Sequence, residues 1–461
     1  MLTKQARILT TISCVGFLLL FLSCNKPNNK NEGHEKVDIK LGKAEISEGM
    51  EKLLDRIFEL WYPLSLDTVY GGYLSDLNYK WEVSGGQNKM IVTQSRHVWA
   101  ISNAALSFPK YNKYRYAAEH GFKFLKDVMW DDEYGGFYNL VDREGNVLGN
   151  NGQIVKEAYG NAFAIYGLSA YYNLTKDPNA LELAKKAFDW LGKNSYDPKF
   201  GGYYQYLHRD GKPFTEGYNG TPPKDQNSSI HLLESFTELY KVYPDPLVKE
   251  KLNELLVLIR DTITTDKGYM NLFFSKKWEH VSFGSRGREA VEANYDFDHV
   301  SFGHDVETAY LLMEASDILG IEDNSKTLAV GKKMTDHALA NGLDKSVGGL
   351  FDGGYYFEDS KCSIIRNTKE WWAQVEAMNT FLIMSQLYPE DENSYYDKFT
   401  LMWEYCNKYL IDHKHGGWFW GGIDIVPGNV DLPKGTIWKG DYHTSRSLIN
   451  CIKRLKGVES D

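Results

Sequence analysis

The sequence predicts an all-α fold, an (α/α)6 barrel of six helix-hairpin repeats with short β-hairpins gathered at one end. Three observations carry this expectation. A glycine-centred turn recurs six times, a charged amphipathic stretch precedes each turn, and a largely apolar stretch follows it. A repeat of this length signals a barrel or solenoid rather than one simple domain.

The chain begins with a different kind of element. Lys4 and Arg7 precede an apolar run from Ile8 to Leu22, shorter than the roughly twenty residues that span a bilayer. Residues 1–23 therefore read as a signal peptide. Cys24, directly after "FLS", resembles the acylated cysteine of a bacterial lipobox, although Phe21 stands where leucine is commoner. The expectation is an envelope lipoprotein lipidated at Cys24, on the periplasmic side, with the lipid as its only membrane attachment. Residues 24–44, opening with "CNKPNNKNEGHEKVD", are polar and form a flexible tether. The barrel is assigned to 45–461.

Its six turns are "DTVYGGYLSDL" (67–77), "DDEYGGFYNLV" (131–141), "DPKFGGYYQYL" (197–207), "TDKGYMNLFF" (265–274), "DKSVGGLFDGG" (344–354) and "HKHGGWFWGG" (413–422). Glycines 71, 135, 201, 268, 348 and 416 are 64, 66, 67, 80 and 68 residues apart. Stretches before the turns, such as "LELAKKAFDWLGKNSYD", carry charge on one face and suit an outer layer. Stretches after them, such as "EAYGNAFAIYGLSAYYNL", are apolar most of the way round and suit an inner layer. The glycine pairs supply positive φ and the aromatic residues after them favour a short hairpin. Aromatic residues at 73, 137, 203 and 418 are expected around the mouth of a shared cavity.

Composition narrows the function. With 43% hydrophobic residues there is ample core, and the formal charge of −10 becomes about −12 once Lys4 and Arg7 leave with the signal. Nothing favours nucleic acid. Cys362, Cys406 and Cys451 remain in the barrel, too few for a disulfide framework and without metal-ligand spacing. Cys451 reads as packing.

The inner helices start with Arg96 and His97, Glu157 and Asn161, Asn227 and His231, His304 and Glu307, Glu370 to Gln374 with Glu376, and Tyr442, His443 and Arg446. His97 reads as a cap or a satisfied core residue. His231, His304 and His443 are expected at equivalent places in three repeats, so that the barrel aims them at one point. Glu307 follows His304 by three residues and shares its helix face, where it orients the imidazole, accepts a ligand hydroxyl, or simply favours the helix N-terminus. Arg446 is open between an ion-pair partner and a ligand contact. Trp371 and Trp372 point about a hundred degrees apart on a helix, so one packs and one faces the cavity.

"KDQNSSIHLLE", "SFGHDVETAYLL", "KEWWAQVEA" and "WKGDYHTSR" resemble the motif series of the N-acylglucosamine 2-epimerase family, nearest its cellobiose 2-epimerase branch, over roughly residues 45–456. The resemblance implies an (α/α)6 barrel that epimerises aldoses at C2 without metal or redox cofactor. It implies His304 and His443 as the acid/base pair, Arg96 as the group holding the open-chain oxygens, and Asn227, His231, Glu307, Trp372 and Trp438 as substrate-binding residues. The last motif departs from the usual "WKxPYHNxR", with Asp441 for proline and Thr444 for asparagine, which leaves the sugar's identity open. The chemistry suits the residue types: histidine gives and takes protons near neutrality, and a fixed guanidinium stabilises an enediolate. The alternatives are an aldose–ketose isomerase of the mannose isomerase kind, an epimerase of N-acylglucosamine itself, a glycoside hydrolase with paired carboxylates, and a sugar-binding lipoprotein without catalysis. The sequence leaves the oligomeric state open.

Overall fold

The computed structural model describes residues 42–149 and 152–458. The signal segment, Cys24 and the tether up to residue 41 lie outside the described residues. The first helix, α1 (Lys43–Leu64), starts two residues inside the predicted tether because the Glu45 carboxylate accepts from the Gly42 N–H at 2.9 Å and holds the first turn closed.

The architecture is an (α/α)6 barrel. The inner ring is α2 (Ile91–Ser107), α4 (Ala158–Thr175), α6 (Gln226–Val242), α9 (Phe302–Ile318), α11 (Trp371–Leu387) and α13 (Tyr442–Leu455). Each packs on the next, and α13 returns to α2 to close the ring. Behind them lie α3 (Arg115–Phe124), α5 (Pro178–Asn194), α7 (Pro246–Leu258), α10 (Ser325–Asn341) and α12 (Tyr395–Tyr409), each on the inner helix that precedes it. Helix α1 packs on α13, so the last inner helix takes its outer partner from the start of the fold. The inner helices are buried on almost every side, as the apolar composition requires.

The glycine turns join an outer helix to the following inner one, and so all lie where the inner helices begin. In the first, Asp67 Oδ1 accepts from the N–H groups of Val69 and Tyr70, and Gly71 and Gly72 take φ of 81° and 65°, which an L side chain rarely adopts. A lysine two residues before the inner helix then locks the turn. Buried Lys89 donates to Asp67 at 3.0 Å, to the Gly71 carbonyl at 2.7 Å and to the Arg143 carbonyl of the next repeat at 2.9 Å. The same lock recurs as Lys156–Asp131, Lys224–Asp197 and Lys369–Asp344, and Lys434–Asp412 serves the last turn. In the fourth repeat both partners are gone together, with Thr265 and Val300 at their places, which leaves no buried charge unpaired.

The strands differ from expectation. Each glycine turn is closed by a single bridge, such as Leu66 to Tyr73, not by a hairpin. The ladders β1 (Lys89–Met90) with β2 (Leu140–Val141), β3 (Val155–Glu157) with β4 (Tyr206–His208), and β5 (Lys224–Asp225) with β6 (Phe273–Phe274) tie one repeat to the next. Only β7 (Gly353–Glu358) and β8 (Lys361–Arg366) form a true hairpin among the described residues. The long fourth spacing is an insertion before α9 that carries α8 (Arg288–Ala293) and packs Tyr295 under Arg366 of that hairpin, 3.5 Å from guanidinium to ring.

Tyr73, Phe137, Tyr203 and Trp418, expected at the cavity mouth, are instead buried in the core. The φ of the second glycine turns the next side chain inward, and Tyr73 donates its hydroxyl to the Ala117 carbonyl of outer helix α3 at 2.6 Å. Cys362, Cys406 and Cys451 are free thiols, and Cys451 is fully buried packing.

Candidate active site

A cavity of about 320 Å³ opens where the inner helices begin. Arg96, Asn227, His231, His304, Glu307, Trp372, Trp438 and His443 all line it, with Tyr159, Glu370, Trp371 and Trp420. The register explains the convergence. The fourth residue of four inner helices, Gln94, Asn161, Asp305 and Gln374, accepts from a backbone N–H of the turn before it, and this fixes each helix at the same height. Second residues Tyr159, Asn227, Trp372 and His443 then form an upper layer, and sixth residues Arg96, His231, Glu307 and Glu376 a lower one, one helical turn below. The three histidines are therefore not equivalent: His443 is second, His304 third and His231 sixth in its helix. They meet because their different depths serve different walls.

His304 sits in the first turn of α9, its Nδ1 2.8 Å from Ser301 Oγ, which leaves Nε2 for the cavity. Gly303 beside it allows α9 and α11 to approach; a Cβ there would stand 2.6 Å from Ala373 Cβ and 2.8 Å from the Trp372 ring. That closeness sets the His304 ring 4.7 Å from the Trp372 ring, and the His443 ring is 5.7 Å from the same indole. Both imidazoles thus border one aromatic platform. Burial, with His231 and Arg96 nearby, pushes His304 down to about 3, so it is a neutral base. Burial and Arg96 also hold His443 well below the ordinary histidine range, while Glu307 pulls it the other way.

Beneath His443 lies a charged floor. Its Nδ1 is 2.7 Å from Glu376 Oε1 and 3.9 Å from Glu307 Oε1. Arg446, fully enclosed, donates to Glu376 at 2.6 Å and also to Glu307, Glu234 and the Tyr442 hydroxyl. Arg446 is thus an ion-pair hub. Burial raises Glu376, against which Arg446 and Tyr310 direct donors that favour its carboxylate. Burial would also raise Glu234, but Arg446 and His231, whose Nδ1 lies 2.9 Å away, outweigh it and bring it to about 2. Glu307, Glu376 and His443 present ligand-type atoms within 4.8 Å of one another. The Arg446 guanidinium already donates to both carboxylates and supplies the balancing positive charge there.

Arg96 is different. Its Nη2 donates to the Tyr159 hydroxyl at 3.0 Å and its plane lies 4.3 Å from the Phe163 ring and 4.9 Å from that of Tyr442. Its buried Nε has no partner, and no carboxylate pairs with it among the described residues. A buried cation without a counter-ion is poised for negative charge brought or developed by a ligand. Glu307 Oε2 is likewise buried and unpartnered.

Both tryptophans of "KEWW" reach the cavity wall. Trp371 is only 5% exposed, packed edge-on against Trp420 at 4.9 Å, while Trp372 contacts both histidines and donates to Glu370 at 2.8 Å. Burial raises Glu370 to about 7. Trp438 is 51% exposed at the mouth. His97 stays out of the cavity, buried against Tyr62 and Asp441. The sequence assigns no site role to Glu376 or Tyr159, although Glu376 occupies the same sixth place as Arg96, His231 and Glu307.

Residues 72–446 match the N-acylglucosamine 2-epimerase (GlcNAc 2-epimerase) family. The chain belongs to that family. A cellobiose 2-epimerase of Ruminococcus albus is 31% identical over 418 residues, 89% of this chain and 98% of its own length. The structure of cellobiose 2-epimerase from Spirochaeta thermophila superposes with a TM-score of 0.76 at 29% identity, covering 90% of this chain and 98% of that one. A D-mannose isomerase of Marinomonas mediterranea is 22% identical, over 88% of this chain and 97% of its own.

Proposed function

We propose that this family member is a carbohydrate 2-epimerase acting at C2 of a reducing-end aldose, with a cellobiose- or mannobiose-type disaccharide as substrate. One observation carries the reading: two imidazoles border the same indole and the same cavity as a buried guanidinium that has no carboxylate partner. After ring opening, one imidazole takes the C2 proton and charge collects on the oxygens of the enediolate, where Arg96 stabilises it. The other imidazole, held neutral by burial, takes up a solvent proton as the enediolate charge develops and returns it to the opposite face. A proton exchanged with solvent resets the pair. Glu376 and Glu307 favour the charged form of His443 at that step. On this reading Asn227, His231 and Glu307, which line the cavity, hold sugar hydroxyls, and Trp372 and Trp438 face the rings. Neither metal nor redox cofactor is needed.

A second sugar unit would lie on the exposed Trp438 face at the mouth. One stacking contact of about 1 kcal/mol gives the disaccharide about a fivefold advantage in kcat/KM over the monosaccharide. Comparing cellobiose with glucose and mannobiose with mannose tests this, and a monosaccharide preference overturns it. The second reading is an aldose–ketose isomerase, favoured by the similarity to a D-mannose isomerase; ketose as the main product would establish it. The two carboxylates nearest His443, Glu307 and Glu376, are both paired with Arg446, which disfavours them as the acid/base pair of a glycoside hydrolase.

We also infer, from the basic residues, apolar run and Cys24 alone, that the chain is an envelope lipoprotein on the periplasmic side. Labelled palmitate incorporated in the wild type and lost in Cys24→Ala supports this; label retained by that variant refutes it.

A further inference from the structure

Asp441 and Thr444, where the last motif departs from the family pattern, are buried behind His443 and neither lines the cavity. Asp441 is the N-cap residue of α13, yet its carboxylate makes no capping bond. The carboxylate turns outward instead. Oδ2 accepts from the Tyr62 hydroxyl at 2.7 Å, and Oδ1 lies 3.0 Å from His97 Nδ1, which is itself 3.0 Å from the Tyr62 oxygen. Tyr62, His97 and Asp441 are each 1% exposed. Thr444 donates to the Asp441 carbonyl at 2.8 Å and fixes the same turn.

The cluster joins three elements at the seam where the barrel closes. Tyr62 lies in α1 at its kink (φ −113°, ψ 63°), His97 in α2, and Asp441 at the start of α13. Its chain neighbours belong to the reaction: Arg96 directly precedes His97, and His443 follows Asp441 by two residues. A helix N-cap whose carboxylate accepts from the Tyr62 hydroxyl and lies against His97, with Oδ1 making no hydrogen bond of its own, ties its helix to its neighbours instead of capping it. The outcome of the reaction depends on such placement, because a proton returned to C2 gives the epimer and one returned to C1 gives the ketose, sites about 1.5 Å apart.

We propose that Tyr62, His97 and Asp441 are positioning residues that set His443 against Arg96 and thereby direct the returning proton to C2 rather than C1. This rests on the 2-epimerase reading above.

The test uses the full chain, with cellobiose, and NMR of initial products. In Asp441→Asn the amide NH2 competes for the space facing His97 Nδ1, and the charge is lost. In Tyr62→Phe a single hydroxyl goes. A misplacement of order 1 Å costs up to about a hundredfold in rate. The expected result is that Asp441→Asn lowers kcat by about tenfold with KM within about twofold, and raises the ketose-to-epimer ratio at least about threefold. Tyr62→Phe shifts the ratio in the same direction by less. A cluster that only holds the fold together would lower the thermal midpoint and leave the ratio unchanged, and that result overturns the proposal. If Asp441→Asn does not fold by circular dichroism, the Tyr62→Phe ratio decides. A wild type that makes no epimer contradicts the proposed function instead.

Discussion

Replacing Glu376 by glutamine changes the charge of the cavity floor and almost nothing of its shape. Glu376 Oε1 accepts from His443 Nδ1 at 2.7 Å and Arg446 at 2.6 Å, and Oε2 accepts from the Tyr310 hydroxyl at 3.0 Å. A glutamine can keep its oxygen toward the first two, with its NH2 toward Tyr310, whose hydroxyl can turn to accept. The contact to an imidazolium then falls from an ion pair to a hydrogen bond with one charged partner, a loss of roughly 1–2 kcal/mol within the spread of about 1.5–3 kcal/mol for bonds to charged groups. That loss predicts a fall in kcat of about 5- to 30-fold, with KM little changed. Stability moves differently. Arg446 faces three carboxylates, Glu234, Glu307 and Glu376, so removing one negative charge relieves repulsion and leaves the guanidinium paired. The thermal midpoint should hold or rise. Glu376→Ala also frees the His443 ring, and should lose on the order of 10²-fold or more. Steady-state kinetics with cellobiose and a melting curve measure both. If Glu376→Gln turns over within twofold of the wild type, or Glu376→Ala keeps more than about a tenth, the carboxylate does not support His443 in the reaction.

His304→Ala and His443→Ala should each remove turnover by about 10²-fold or more with an unchanged circular dichroism spectrum, because neither proton carrier can replace the other; activity above about a tenth of wild type in either would show the pair to be misassigned. EDTA should leave the rate unchanged, since Arg446 holds the positive place between Glu307 and Glu376; loss on chelation, restored by a divalent ion, would place a metal in that cluster. Lys224→Met strands the Asp197 carboxylate, both side chains being almost wholly buried, and should cost about 3–5 kcal/mol, roughly 3–5 °C in melting temperature for a domain of this size. Adding Asp197→Asn, which removes the stranded charge but keeps an oxygen for the Lys199 and Phe200 N–H groups, should recover much of that loss, and a double variant no better than the single would contradict the lock.

The barrel was legible because its period is written along the chain: glycine turns at near-constant spacing, with helix character changing from charged to apolar across each one. The residues at the inner helix starts were legible for the same reason, and all eight expected around the sugar line one cavity. Glu376 was named among the residues at the inner helix starts but given no role, because a glutamate inside an apolar helix looks like any other until the helices are aligned at their anchoring fourth residues; the sixth-residue ring of Arg96, His231 and Glu307 then points to it. The lysines two residues before the inner helices, 89, 156, 224 and 369, were equally periodic, but their partners are the aspartates of the turns before, a pairing that only the closed turn brings about. The ladders between repeats and the inward direction of Tyr73, Phe137, Tyr203 and Trp418 depend on backbone φ and on neighbours distant in sequence. No local pattern reports those.

The central claim is that the C2 proton is removed and replaced, and proton NMR of cellobiose incubated with the protein in D2O tests it most directly. The account predicts a 2-epimer carrying deuterium at C2 of the reducing-end unit, at a rate abolished by His304→Ala or His443→Ala. Epimer formed with its original proton still at C2, or cleavage of the glycosidic bond with no exchange at C2, would contradict it.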